Sequence, residues 1–290
     1  MLTSNLAQLN LDLTINSGQV FLWKKVNGYW YGVYDDSIVK VAVNNNALEF
    51  SSYPEQVDCK QMFRLDDNLN SITREISKDG VMKEAVSTLK GLRIMRQDPY
   101  QCMISFICAT NTNIAMIRKM LTSLCTIFGK TVEYDNLKFH SFPEPHRLAN
   151  ASINDLCRCS VGYRARFIKQ AAKIVQSNGI DFESLKNSNY EDAKKELMDV
   201  LGVGQKVSDC ILLFSLEKLD AFPIDIWIAR AIKNYYSHIL KKRLKSEKIS
   251  PQTYRLLSSK MREYFGSHAG YAEQYLYCYA RNKTEKRLRC

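Results

Sequence analysis

The sequence predicts an α+β protein in which an N-terminal antiparallel β-sheet domain with flanking helices precedes a mostly α-helical part. Two observations support this fold class. β-Forming residues crowd together and tend to alternate between Leu9 and Phe50, whereas apolar residues recur three or four positions apart after about Leu65. The first pattern is typical of strands and the second of helices. We therefore predict two domains, at residues 1–95 and 96–290.

The predicted sheet is an antiparallel meander of strands joined by tight turns. The strand signals are the runs Val20–Trp23, Tyr29–Tyr34 and Ile38–Val43, and the turn signals are Asn27-Gly28, Asp35-Asp36 and Asn44-Asn45-Asn46. An Asn-Gly pair between two β-forming runs is a strong hairpin signal, because both residues tolerate positive φ angles. The first two strands should therefore pair directly.

Helical spacing covers most of the remaining chain. The apolar series are Ile72 and Ile76; Val81, Ala85 and Leu89; Ile104 and Ile107; and Ile114, Ile117, Leu121, Leu124 and Phe128. We expect Gly179 to end a helix that begins near Tyr163, and Pro251 to start another.

Charge and composition narrow the function classes. The 290 residues include 41 Lys+Arg against 30 Asp+Glu, a net charge of +11, and 46% hydrophobic residues. This is globular composition, and the basic charge favours a polyanionic partner such as nucleic acid. No apolar run approaches the roughly 20 residues that cross a bilayer, and we see no signal or transit peptide, so we expect an intracellular protein without a membrane partner. We interpret the basic run at 241–245 as a solvated face.

Cysteine usage indicates free thiols. Nine cysteines are scattered without a CxxC pair, and Cys157-x-Cys159 lacks nearby partners for zinc or for an iron–sulfur cluster. We therefore predict no metal-ligating side chains and no iron–sulfur cluster.

The segment 197–214 carries the strongest chemical signal. It predicts a helix stopped by Gly202, a tight turn through Val203-Gly204 and a second helix starting near Gln205. The free N–H groups and the positive dipole end of the second helix favour a phosphate at this point. A plain turn between two helices with glycine caps is the alternative.

Lys206 and Asp225 form a candidate catalytic pair. Lys206 lies in the first turn of the second helix among apolar neighbours, where we expect the dipole and burial to depress its pKa. Asp225 lies in a Pro-Asp loop at 220–226, where a new helix begins. An amine and a carboxylate in one cleft suit attack at an anomeric carbon with charge stabilisation. A phosphate-binding lysine and a helix N-cap are the alternatives.

These residues resemble a known family. Leu-Gly-Val-Gly-Gln-Lys206 followed by Phe-Pro-Ile-Asp225 is similar to the helix-hairpin-helix (HhH-GPD) DNA glycosylase superfamily. The other matching motifs are Ser17–Trp23, Gln97–Pro99, Ser105–Asn113, Gly162–Arg166 and Ala269–Ala272. Together they resemble the 8-oxoguanine DNA glycosylase/AP lyase family in the form with an N-terminal β domain, from about Leu9 to Arg281.

The resemblance implies a bifunctional enzyme of base-excision repair. It would flip 8-oxoguanine out of the duplex, attack the anomeric carbon with Lys206, form a Schiff base and cleave the strand by β-elimination. Asp225 would support the positive sugar and help to move protons. Gly202, Gly204 and Gln205 would bind the DNA backbone.

The implied partner is double-stranded DNA containing 8-oxoguanine, bound by a monomer in the cytoplasm, nucleoid or nucleus. The hairpin carbonyls would hold a structural monovalent or divalent cation. No other cofactor is implied.

The resemblance also implies a base pocket. The carbonyl of Gly18 would accept a hydrogen bond from N7–H, which guanine lacks. Cys210 and Tyr277 would close the two sides of the base. Glu273, at a position that is usually Gln in the family, would read the Watson–Crick edge, with Gln274 as the competing reader.

A further implied site lies on the strand opposite the lesion. Asn111, Tyr163 and Arg164 match residues that fill the gap and contact the unpaired cytosine. Met116 stands where eukaryotic members have an arginine that reads that base. We therefore expect a relaxed preference for cytosine opposite the lesion.

Two other functions are alternatives to this one. A non-catalytic helix-hairpin-helix DNA-binding protein would need neither Lys206 nor Asp225. A glycosylase for another damaged base is the second alternative. Adenine and oxidised-pyrimidine enzymes commonly carry a four-cysteine motif near the C-terminus, where this chain has only Cys278 and Cys290. An alkylated-base enzyme has no need for a lysine nucleophile.

Overall fold

The computed structural model describes residues 8–44, 47–239 and 249–287, with side chains described as far as residue 283. The turn predicted at 45–46, the basic run at 241–245 and Cys290 lie outside the described residues. Within the described ranges an antiparallel sheet precedes a helical body, which confirms the predicted α+β class.

Strands occupy the first part of the chain and one later hairpin. They are β1 (Trp23–Val26), β2 (Tyr29–Tyr34), β3 (Ser37–Asn44), β4 (Ala47–Tyr53), β5 (Thr131–Tyr134) and β6 (Leu137–His140).

Helices make up most of the rest. They are α1 (Leu11–Asn16), α2 (Cys59–Met62), α3 (Leu69–Ile76), α4 (Gly80–Thr88), α5 (Pro99–Cys108), α6 (Ile114–Phe128), α7 (Pro145–Asn150), α8 (Ile153–Arg158), α9 (Arg164–Gln176), α10 (Phe182–Asn187), α11 (Tyr190–Met198), α12 (Gln205–Ser215), α13 (Ile226–Tyr235), α14 (Pro251–Phe265) and α15 (Ala269–Arg287), with a 3₁₀ turn at Gly266–His268.

The predicted meander is confirmed. The four-stranded sheet has the order β1-β2-β3-β4, with Trp30 opposite Val41 and Val41 opposite Phe50. Asn27 and Gly28 have φ angles of 48° and 85°, the left-handed pair that a two-residue hairpin turn requires. The β1 strand begins at Trp23, so the strand predicted from Val20 starts too early.

Two elements depart from the predicted pattern. Residues Leu11–Asn16 form helix α1 rather than part of the meander, because the Asn10 side chain caps the helix by accepting from the N–H of Leu13 at 3.0 Å. A second hairpin, β5–β6, interrupts the helical region, and its turn residues Asp135 and Asn136 both have a φ of 57°.

The hydrophobic core joins the two parts of the chain. Helices α3 and α4 and the side chain of Phe21 belong to the same buried cluster as α5, α12 and α15. The ring of Phe21 packs edge-to-face on Phe106, with 5.8 Å between centroids. A separate cluster lies under the sheet and includes Trp30, Val39 and Leu48. The segment around residue 18 is thereby held beside the helical core.

A buried ion-pair cluster also crosses between the two parts. The guanidinium of Arg64 donates two hydrogen bonds of 2.8 Å to the carboxylate of Glu217, and Arg96 donates to the same carboxylate at 3.0 Å. Glu217 follows α12 directly, so the cluster fixes the end of that helix against the N-terminal part. Among the described helices, none is both long and apolar enough to cross a membrane.

Candidate active site

The predicted helix–turn–helix at 197–214 is present. Helix α11 ends at Met198, and Gly202 turns the chain with a φ of 91°. A β-carbon on Gly202 would lie 2.6 Å from the ring of Phe167, so the turn requires glycine. Helix α12 begins at Gln205 after Gly204, which caps it without a side chain. No atom lies within 4 Å of where a Gly204 β-carbon would be, so a phosphate can approach the first N–H groups of α12.

Lys206 lies half-buried in the first turn of α12, with Nζ 4.8 Å from the centroid of the Phe106 ring. Its pKa is lowered by burial but raised by Cys210, Asp225 and Glu273, and the net shift is upward. The depressed pKa predicted from the sequence is therefore wrong, because two carboxyl groups and a thiol outweigh burial. An ammonium has no lone pair, so the predicted nucleophilic role of Lys206 requires the amine in its neutral form.

Asp225 lies half-buried at the N-cap of α13. Its Oδ1 accepts from the N–H of Ile228 at 2.8 Å, which confirms the helix cap. Burial raises the pKa of Asp225, although the N–H of Ile228 and the charge of Lys206 act in the opposite direction. Asp225 is therefore both a cap and a carboxyl group within electrostatic reach of Lys206.

The predicted base-pocket residues line the same cleft as Lys206 and Asp225. They are Gly18, Cys210, Glu273, Gln274 and Tyr277. Gly18 has a φ of 88°, and a β-carbon there would lie 3.1 Å from the ring of Tyr277. The glycine therefore lets the backbone before β1 approach the aromatic wall of the cleft.

The two candidate readers of the base edge differ in their surroundings. Gln274 donates to the carbonyl oxygen of Ser17 at 2.9 Å and to Sγ of Cys278 at 3.8 Å. Burial, followed by the charge of Asp225, raises the pKa of Glu273 well above its ordinary value, and Lys206 acts in the opposite direction. The side chain of Gln274 therefore binds the backbone beside Gly18, whereas burial favours the protonated form of the Glu273 carboxyl group.

The four residues predicted to face the opposite strand have different surroundings. Asn111 lines the cleft, with a φ of 50°. Tyr163 is 55% exposed and Met116 is 36% exposed, in the first turn of α6.

Arg164 is buried at the start of α9, and its guanidinium is occupied. It donates to the carbonyl oxygens of Thr110 and Val161 and stacks on the ring of Tyr163. These bonds hold the guanidinium against Thr110 and Val161, and its contact with an unpaired base stays a prediction.

The hairpin turn is where the expected cation would bind. Among the described residues no cluster of His, Cys, Asp and Glu suits a metal ion. The ligands would be main-chain carbonyl oxygens of residues 199–204, which are donors suited to hard cations. Leu201 in this turn is 49% exposed, so the turn is accessible. The cation stays a prediction.

Sequence reasoning assigned no role to Gln97, although it lies in one of the matching motifs. Its side chain donates to the carbonyl oxygen of Gln19 at 2.8 Å, and its N–H donates to the carbonyl oxygen of Phe214 at 2.9 Å. Gln97 therefore ties the backbone beside Gly18 to the end of α12. Sequence reasoning also missed Asp209 and Tyr254. The signal for Asp209 was an acidic residue directly before the apolar run Cys210–Phe214 of α12.

Known proteins resemble this chain over both of its parts. Residues 1–103 match the 8-oxoguanine DNA glycosylase N-terminal domain, and residues 104–254 match the HhH-GPD superfamily base excision DNA repair protein. The chain is 29% identical to N-glycosylase/DNA lyase OGG1 of Arabidopsis thaliana, over 93% of this chain and 77% of that protein. It is 30% identical to a probable N-glycosylase/DNA lyase of Methanothermobacter thermautotrophicus, over 70% of this chain and 68% of that protein.

Solved structures are similar over nearly the whole chain. The Clostridium acetobutylicum 8-oxoguanine glycosylase/lyase, in complex with double-stranded DNA containing cytosine opposite 8-oxoguanine, superposes with a TM-score of 0.84 at 29% identity, covering 96% of this chain and 93% of that one. MBOgg1 in complex with a low-affinity DNA ligand gives a TM-score of 0.86 at 31% identity, covering 96% and 94%.

Proposed function

Because the chain belongs to the HhH-GPD superfamily of base excision DNA repair proteins and carries the N-terminal domain of the 8-oxoguanine DNA glycosylases, we propose that it excises 8-oxoguanine from duplex DNA as a bifunctional glycosylase/AP lyase. The observation that carries the proposal is the presence of Lys206, Asp225, Gly18 and Tyr277 in one cleft. An amine nucleophile and a carboxylate in such a cleft are what base excision through a covalent sugar intermediate requires.

Base excision begins when the damaged nucleotide is rotated out of the stack into the cleft. The Lys206 ammonium gives up a proton, which is passed to the departing base, and its Nζ attacks C1′ of the deoxyribose. The bond between C1′ and the base nitrogen breaks, and the base leaves with the bonding electrons and takes up a proton. Asp225 stabilises the positive charge that develops on the sugar. The raised pKa of Asp225 also suits a carboxylate that accepts a proton.

Strand cleavage follows from the new bond between Nζ of Lys206 and C1′ of the deoxyribose. The Lys206–sugar adduct opens its ring to a Schiff base, which makes the C2′ hydrogens acidic. Loss of one of these protons and departure of the 3′ phosphate complete a β-elimination. The lyase activity therefore needs no second nucleophile.

Discrimination of the lesion is assigned to the backbone of Gly18. Its carbonyl would accept from N7–H of 8-oxoguanine but face a lone pair in guanine, a difference worth roughly 1–3 kcal/mol. The flanking residues hold this backbone in place. Gln274 donates to Ser17, and the Gln19 side chain donates to the carbonyl of Arg93 at 2.8 Å and accepts from the N–H of Met95 at 2.7 Å.

The partner and the place of action follow from the substrate. The substrate is duplex DNA, and the net charge of +11 raises affinity for its phosphates. The protein therefore acts where the cell keeps its DNA. We propose that it acts as a monomer, since one chain supplies every residue of the cleft.

Borohydride trapping tests the proposal. The native protein should form a covalent adduct with a duplex containing 8-oxoguanine and release the base, and it should do neither with an undamaged duplex. Lys206→Gln should abolish both adduct and excision while retaining affinity for the damaged duplex. Lys195→Gln, on the exposed face of α11, is the matched control and should behave as native. An adduct formed by Lys206→Gln would assign the chemistry to another amine, and an inactive native protein would overturn the function.

A further inference from the structure

A buried polar cluster lies behind the nucleophile. Asp209, on α12, is fully buried and accepts hydrogen bonds from Tyr190 at 2.6 Å, Lys194 at 2.9 Å and Tyr254 at 2.6 Å. Lys194 also donates to the hydroxyl of Tyr190 at 2.8 Å. A buried carboxylate is costly unless it is paired in this way, so the cluster holds its members in one arrangement.

The hydroxyl of Tyr254 connects this cluster to the Pro-Asp loop. It donates to Oδ2 of Asp209 and accepts from the N–H of Ile224 at 3.1 Å. Ile224 is the residue before Asp225, and Asp209 lies one helical turn after Lys206. Tyr254 therefore bridges the helix that carries the amine and the loop that carries the carboxylate. Its side chain also lines the cleft.

Other contacts to this loop come from the same helix as Tyr254. Ser258 donates to the carbonyl oxygen of Phe222 at 3.3 Å, and Arg262 donates to the carboxylate of Asp220 at 2.6 Å. These bonds hold the start of the loop. Of these three bonds, the one from the N–H of Ile224 to Tyr254 lies next to Asp225 and also links the loop to α12 through Asp209.

We propose that Tyr254 is a positioning residue that sets the placement of Asp225 relative to Lys206 through its two hydrogen bonds. The proposal rests on the function proposed above. A displacement of about 1 Å between reacting groups costs on the order of a hundredfold in rate, so loss of the bridge acts on the chemical step. Substrate binding depends on the hairpin and on the pocket walls, and Tyr254→Phe keeps the ring that lines the cleft.

Tyr190 provides a matched control. Its hydroxyl makes a hydrogen bond of the same length to the same carboxylate, but its second contact is Lys194 instead of the loop. Tyr190→Phe and Tyr254→Phe each remove one hydroxyl from the Asp209 cluster. Only Tyr254→Phe also releases the N–H of Ile224.

The experiment compares the native protein and the two variants in single-turnover excision, in affinity for the damaged duplex and in thermal stability. We expect both variants to lose stability to a similar degree and to keep native affinity. Tyr254→Phe should slow excision and borohydride trapping by about ten- to a hundredfold. Tyr190→Phe should excise at close to the native rate.

Equal excision rates for the two variants would overturn the inference, and so would slow excision by Tyr254→Phe that is explained by lost affinity for DNA. In either case an active native protein would still support the proposed function. An inactive native protein would overturn both. Hydrogen exchange of the native chain provides a measurement that does not depend on a folded variant: the Ile224 amide should be protected. Exchange at the rate of an open loop would overturn the inference.

Discussion

The side-chain amide of Gln274 donates a 2.9 Å hydrogen bond to the carbonyl oxygen of Ser17. This bond links the C-terminal helix α15 to the backbone immediately before Gly18, across most of the length of the chain. The adjacent Glu273 lines the cleft, and burial raises the pKa of its carboxyl group. We therefore propose separate tasks for these neighbouring residues, with Gln274 holding the backbone before Gly18 and Glu273 facing the base.

Substitution by alanine should separate these two tasks. Gln274→Ala leaves the Ser17 carbonyl without its amide partner and should destabilise the fold by roughly 1–3 kcal/mol. Glu273→Ala should slow excision of 8-oxoguanine more than Gln274→Ala does, with a smaller loss of stability. Chemical denaturation and single-turnover kinetics measure the two effects. The reverse ranking in excision would identify Gln274 as the reader of the base edge.

The buried carboxyl of Glu273 should make stability depend on pH. Its pKa is raised well above the ordinary value of 4.5 by burial and by Asp225, so the folded protein retains a proton that the unfolded chain loses. The stability that this group contributes is therefore present below 4.5 and is lost as pH rises toward the folded pKa. Glu273→Gln removes this loss, because an amide does not ionise.

Thermal melts at a series of pH values provide the measurement. The advantage of Glu273→Gln over the native protein should grow as the pH rises above the ordinary value of 4.5. Glu196→Gln, on an exposed position of α11, controls for the removal of one carboxyl group. A constant difference between Glu273→Gln and the native protein across this range would contradict a raised pKa.

Asp225→Asn should separate activity from stability. The amide oxygen still caps α13 by accepting from the N–H of Ile228, but a neutral side chain cannot stabilise a cationic sugar. Because burial raises the pKa of Asp225, its ionised form is penalised in the fold, and the variant should be at least as stable as the native protein at neutral pH. Excision should be severely reduced.

Asp225→Ala is the companion variant for this test. It removes both the charge and the cap, and should lose about 1 kcal/mol of stability in addition to activity. If Asp225→Asn excised the base at a rate within a few-fold of the native rate, Asp225 would act only as a helix cap.

Gly18→Ala should impair both the fold and the pocket. The φ of 88° disfavours any side chain, and the new β-carbon would lie 3.1 Å from the ring of Tyr277. Gly28→Ala is a close control, because its φ is 85° but no atom lies within 4 Å of the new carbon. Both variants should lose roughly 1–2 kcal/mol of stability from the left-handed backbone. Only Gly18→Ala should also slow excision, and equal excision by the two variants would separate Gly18 from the pocket.

Local patterns predicted the elements whose signals are contained in a few residues. The Asn27-Gly28 turn, the glycine stop at Gly202, the cap at Asp225 and Pro251 at the start of α14 are all present. The β5–β6 hairpin carried an Asp135-Asn136 turn signal of the same local kind, which the helical periodicity on either side obscured.

Features that depend on distant residues were not predictable in this way. Burial lowers the pKa of Lys206, but Cys210 on the same helix and Asp225 and Glu273 on other helices raise it. The helical context of Lys206 alone gave the opposite direction, because it did not include the two carboxyl groups. Likewise the bridge through Tyr254 joins three separate segments of the chain. A sequence reveals that such groups exist but not which of them meet.

The last prediction concerns the base opposite the lesion and depends on Met116. This residue lies in the first turn of α6, 36% exposed, and its N–H donates to the side chain of Asn113 at 3.0 Å. A methionine offers dispersion contacts to a base, whereas an arginine makes paired hydrogen bonds worth roughly 1–3 kcal/mol of discrimination. We therefore expect the native protein to excise 8-oxoguanine at similar rates from four duplexes that differ only in the opposite base. The rates should lie within about an order of magnitude of one another, which corresponds to about 1.4 kcal/mol of activation free energy.

Met116→Arg should widen the preference for cytosine, and Met116→Lys is the control that adds the same charge without the planar donor pair. Both variants should bind DNA more tightly through charge, but only the arginine should change the ranking among opposite bases. Because Asn111 remains at the cleft in every variant, cytosine should stay acceptable throughout. A strict cytosine preference in the native protein would instead assign the reading of that base to Asn111 and Arg164.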